Sequence, residues 1–81
     1  MDNNTAIIDR KVWNIIEDAS EQACAEYGVN EKEVWDDKRF GYLQEFADGL
    51  IQEVLGWGRS YESVRSSAMN YVRAIIMQFA S

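Results

Sequence analysis

Neither histidine nor proline occurs anywhere in this chain of 81 residues, and cysteine occurs once, as Cys24. The usual imidazole base, the usual nitrogen ligand for a metal and any disulfide framework are therefore absent. Carboxylates are the only plausible catalytic groups that remain. The rest is acidic, aromatic and helix-forming: material for packing and for binding.

The apolar residues recur at intervals of three and four, and no segment alternates with a period of two for any length. Ile8, Val12, Ile15, Ile16, Ala19, Ala23 and Tyr27 make one stripe, so the spacing predicts a helix over about 6–27. Gly28 ends it, and Thr5 or Asp9 is the candidate cap at its start. Asn30 with Glu33 three residues later has the spacing of a capping box, and Val29 with Val34 that of a hydrophobic staple. A short helix at about 31–37 follows. The run Asp36-Asp37-Lys38-Arg39, followed by Gly41, marks a kink or a short break before a long helix at about 39–55. Its stripe is Phe40, Leu43, Phe46, Ala47, Leu50, Ile51, Val54 and Leu55. Gly56-Trp57-Gly58-Arg59 reads as a loop, and Ser60 caps a last helix at about 61–79 through Val64, Ala68, Tyr71, Val72, Ile75 and Phe79. The expected fold is all-α: a single helical domain over 1–81, a small bundle of three main helices plus one short one.

A chain of this size buries only roughly 60% of the surface that its unfolded form exposes, so association would help to stabilise it. Between Ala74 and Ala80 only Gln78 is polar, and a helix apolar on all sides has to be covered on more than one. Ile76, Met77 and Phe79 are accordingly the expected self-association surface, and a homodimer is the expected state. Fourteen acidic residues oppose eight basic ones, giving a net charge of -6. Such a surface repels nucleic-acid phosphates and anionic membranes, so no direct contact with either is expected. The opening Met1-Asp2-Asn3-Asn4-Thr5 lacks the basic and apolar pattern of a signal peptide, and no apolar run reaches membrane length. A lone cysteine fits a reducing compartment, and the cytoplasm is expected. Flanked by Ala23 and Ala25 and with no basic neighbour to activate it, Cys24 reads as a small core residue.

Two groups of residues are candidates for function. Glu17, Asp18 and Glu21 share one turn of the first helix, while Glu45 and Asp48 are three apart on the long middle one. Facing helices that contribute such groups could hold Mg²⁺ through oxygen ligands. The pattern Glu17-Asp18-Ala19-Ser20-Glu21, then Glu45-Phe46-Ala47-Asp48, resembles that of all-α nucleotide pyrophosphohydrolases of the MazG type. That resemblance implies hydrolysis of nucleoside triphosphates with Mg²⁺ held by Glu17, Asp18, Glu21, Glu45 and Asp48. The same spacing also describes an ordinary solvated helix face, which is the reading preferred here, with no catalytic, metal or cofactor residue assigned. A third use of the carboxylates is mimicry of nucleic-acid phosphates, because acidic residues crowd the first half of the chain.

The aromatic residues form the second group. Trp57 lies between two glycines, where it either plugs the end of the bundle or projects as an anchor for a partner. Trp13 and Trp35 fall just off their stripes, as suits a bundle edge or an interface. Arg59, Arg65 and Arg73 are expected to pair with acidic residues of the first helix. Residues 39–53, from Arg39-Phe40 to Glu45-Phe46-Ala47-Asp48-Gly49-Leu50-Ile51-Gln52-Glu53, resemble a segment of short bacteriophage proteins whose role is unknown. That resemblance implies helical packing and the accessory class, whose members often bind and inhibit a host protein. The favoured reading is a small acidic non-enzymatic interaction module, with Trp57, Trp13, Trp35, Glu17 and Glu21 toward a protein partner. The pyrophosphohydrolase, the nucleic-acid mimic and a plain assembly subunit are the alternatives.

Overall fold

The computed structural model describes residues 3–81, which form α1 (Asn3–Tyr27), α2 (Glu31–Val34), α3 (Asp37–Trp57) and α4 (Tyr61–Ala80). All described secondary structure is helical, so the all-α expectation holds. No described helix is long and apolar enough to cross a membrane.

Each helix boundary has a local cause. Helix α1 starts earlier than expected, so Thr5 and Asp9 lie inside it and neither caps it. It ends in a Schellman arrangement: Gly28 takes φ 67°, its N–H reaches the Ala25 carbonyl, and the Val29 N–H reaches that of Cys24 at 3.0 Å. Asn30 then caps α2 by accepting the Lys32 N–H at 2.9 Å. Helix α2 stops at Val34 and not near residue 37, because Trp35 leaves helical geometry and Asp36 begins a new helix. The Asp36 carboxylate accepts the Arg39 N–H and pairs with its guanidinium, both at 2.9 Å. The break therefore falls at Trp35 and Asp36, at the head of the charged run, while Gly41 sits inside an uninterrupted helix.

The end of α3 also differs from expectation. The helix passes through Gly56 and Trp57 and stops only at Gly58, which supplies the left-handed conformation (φ 68°, ψ 37°). Trp57 is thus a residue of the last helical turn and not of a loop. Ser60 caps α4 as expected, accepting the Ser63 N–H.

Helix α1 is the shared partner, packing most extensively along α4 and next along α3, whereas the α3 and α4 backbones barely meet. Its length of about 37 Å matches the 41 Å long axis of the molecule. Small residues at the contacts (Ala19, Ala23, Ala47 and Ala68, all buried) let the helices approach closely. The gap between α3 and α4 is spanned by large side chains. Phe46 and Tyr71 stack with ring centroids 4.0 Å apart, and the Tyr71 hydroxyl donates to the Tyr42 carbonyl at 3.3 Å. Arg59 clamps the connection between the same helices, donating to Glu53 on one side and to Ser63 and Ser67 on the other.

On α4 the fully buried positions are Val64, Ala68, Val72 and Ile76, a strict interval of four. This corrects the assignment of Ile76 to a self-association surface: it is 0% exposed within a single chain. Phe79 is half-buried against the core with the Arg39 guanidinium 4.9 Å from its ring centroid. Of the three residues only Met77, 52% exposed, is on the surface. Toward the α4 terminus Ile76 is buried and Ile75 and Phe79 are half-buried within the same chain, which leaves Ala74, Met77 and Ala80 as the exposed apolar positions.

Candidate functional site

The five carboxylates of the metal-binding alternative do not converge. Glu17 borders a cleft with Trp13 and Trp35, Asp18 a second with Tyr61 and Arg65, and Glu45 a third with Glu53 and Arg59. All five, including Glu21 and Asp48, belong to exposed residues. Among the described residues no group of three or more carboxylate or thiol side chains is placed to hold a metal ion. The basic residues correct another expectation in part. Arg73 does pair with Glu26 of α1, at 2.8 Å, but Arg59 pairs with Glu53 of α3.

The tryptophans occupy three different environments. Trp57 is 67% exposed at the end of α3, next to the partly exposed Leu55, so it does not plug the bundle. Trp13 is half-buried and stacks on Phe40 at 5.9 Å with the rings inclined by 28°. Trp35, at the junction of α2 and α3, packs against the core and is fixed by its polar edge. Its indole Nε1–H donates to Ser20 Oγ at 2.7 Å, and the Ser20 hydroxyl donates onward to Glu31 Oε2 at 2.8 Å. Ser20 is buried on the inner face of α1 and both of its hydrogen-bonding roles are used.

These side chains build one cleft. Trp13, Trp35 and Phe40 form its walls, Glu17 and Glu31 its polar margin, and the cleft encloses about 140 Å³. Sequence reasoning had singled out Trp13, Trp35 and Glu17 but had not joined them. It missed Phe40 as a wall, having placed it on the apolar stripe of the long middle helix, and it gave Ser20 no role and Glu31 none at a cleft. Ser20 carries a readable signal: it is a polar residue between Ile16 and Cys24, four positions from each, on an otherwise apolar face.

Cys24 is a free thiol in the core near the same relay. Burial pushes its pKa above the ordinary value and the Glu31 charge adds to that, while a hydrogen bond with Ser20 opposes them. The thiolate is thus disfavoured, as suits a packing residue and not a nucleophile.

Comparison of this chain with protein-family models, with curated proteins and with solved structures finds no match. The arrangement defines an all-α domain with Trp57 exposed at one helix end and Trp13, Trp35 and Phe40 at one cleft.

Proposed function

We propose that this protein is a small, acidic, non-enzymatic interaction module that binds another protein. The observation that carries the reading is Trp57, two-thirds exposed in the last turn of α3 beside Leu55. A tryptophan offers the largest apolar surface of any side chain, and such residues dominate binding energy where they enter a partner's pocket. The net charge of -6 would steer a basic partner and set the salt dependence of encounter. On the resemblance of residues 39–53 to short bacteriophage proteins, that partner is a host protein and the module acts as its inhibitor or modulator. The free, buried Cys24 suits a reducing compartment such as the cytoplasm. Self-association, if it contributes, falls on Met77 and the exposed flank of α4 around it.

The test begins with affinity purification from the source cell and continues with the purified partner. Wild type and Trp57→Ala are compared for affinity by calorimetry and for folding by circular dichroism. Loss of affinity by about 2 kcal/mol in a fully folded variant supports the reading. Equal affinity of the two proteins for the partner, or turnover of a small substrate by the wild type, refutes it.

A further inference from the structure

We infer that the cleft between α1 and the α2–α3 junction receives an arginine side chain from a basic segment of the protein partner. The inference rests on the interaction reading above and adds a second contact of stated chemistry. Three aromatic side chains, Trp13, Trp35 and Phe40, line the space together with Ile16 and Leu43, and an aromatic face carries the negative part of a ring quadrupole. Two carboxylates, Glu17 and Glu31, stand at the same cleft. Neither forms an ion pair with a cation of this chain among the described residues. Glu31 Oε2 already accepts the Ser20 hydroxyl, which orients the carboxylate and leaves Oε1 for a ligand.

The two carboxylates favour positive charge, and the apolar, largely aromatic walls favour a flat group. A guanidinium combines both, stacking on an aromatic plane while its N–H groups fork onto a carboxylate. The volume of about 140 Å³ is close to that of a cavity known to admit benzene, ~150 Å³, and so accommodates a planar group of this size. The site is also built in advance. Trp35 is fixed at its indole nitrogen by Ser20, and Trp13 is fixed by its stack on Phe40, so little ordering is left for the bound state. The overall charge of -6 draws the same kind of partner.

The experiment is a titration of the intact protein with an acetylated, amidated Gly-Arg-Gly peptide, followed through the three indole N–H signals in a ¹H–¹⁵N spectrum. The Trp13 and Trp35 signals should move in the millimolar range while Trp57 stays still, as an internal reference. The same peptide with citrulline, which keeps the shape and removes the charge, should bind about ten-fold more weakly. Glu17→Gln changes an exposed residue, so the fold is kept, and binding of the arginine peptide should weaken several-fold. No movement of the Trp13 and Trp35 signals, equal binding of the citrulline peptide, or equal binding of a lysine peptide would overturn the inference. A purified partner that depends on Trp57 but binds Glu17→Gln as tightly as wild type would overturn the arginine site and leave the interaction reading standing.

Discussion

The indole nitrogen of Trp35 lies 2.7 Å from the hydroxyl oxygen of Ser20, fifteen residues earlier in the chain, on α1. This bond joins the α2–α3 junction to the middle of α1, and Glu31 completes it from the start of α2. Ser20→Ala leaves the Trp35 N–H and one Glu31 oxygen, both partly buried, without their partner. The expected cost is about 1–3 kcal/mol, read as a lower midpoint of urea unfolding with an unchanged slope. Adding Trp35→Phe should recover part of that loss, because the donor then disappears together with its acceptor. Strict additivity of the two changes would show that the bond contributes nothing.

Adjacent residues on α4 should respond in opposite ways to the same change. Ile76 is buried among the core residues, so Ile76→Glu places a carboxylate where water cannot reach it and should unfold the domain. Met77→Glu meets solvent and should change stability by no more than about 0.5 kcal/mol. If the protein is a dimer by sedimentation equilibrium, Met77→Glu should shift it toward monomer while keeping its helical signal. A folded Ile76→Glu variant would contradict the packing described for α4.

Gly58 holds the turn that ends α3, at φ 68°, with open space where a β-carbon would stand. Gly58→Ala therefore meets no clash, and its cost is the backbone conformation alone, about 1–2 kcal/mol. Gly58→Asn should cost less, since asparagine tolerates that region better than alanine. Thermal melting of the two variants checks the order, and an alanine variant as stable as wild type would mean that the turn can relax.

How far the sequence anticipated this structure depends on the kind of information that each feature needs. Helix existence was legible, because Val12, Ile16, Ala19 and Ala23 repeat at the helical interval and local spacing suffices. The capping residues Asn30 and Ser60 were legible for the same reason. The junction at Trp35–Asp36 was not, since Asp36 and Asp37 both qualify as a cap and only packing chooses between them. Gly56 and Gly58 posed a similar choice: either could end the helix, and the one that takes positive φ is fixed by the bonds it makes to Glu53 and Val54. The burial of Ile76 rather than Ile75 was hidden because neighbouring apolar residues leave the angular position of the stripe open by about 100°. The aromatic cleft was least legible of all. Trp13, Glu31 and Phe40 come from separate elements, and their meeting is a tertiary fact.

The single thiol gives a prediction for alkaline pH. Burial first, and the charge of Glu31 second, raise the Cys24 pKa above its ordinary value of 9.0, so the folded protein holds this proton more tightly than the unfolded chain does. A group of this kind contributes stability that is fully present below the unfolded pKa. The contribution falls as pH rises through that value, because the unfolded chain then loses the proton while the folded one keeps it, and the decline ends once pH passes the folded pKa. Tyr71 acts in the same direction from its ordinary value of 10.0 upward, again through burial first and then the Glu45 charge. Stability toward urea should thus decrease from about pH 9 upward. Cys24→Ala should remove the part of the decline that begins near pH 9, and Tyr71→Phe the part that begins near pH 10. The native thiol should also react with a disulfide reagent far more slowly at pH 8 than the same chain in urea. Equal reaction rates in the folded and unfolded protein would show that Cys24 is reachable and ionisable, contrary to its place in the core.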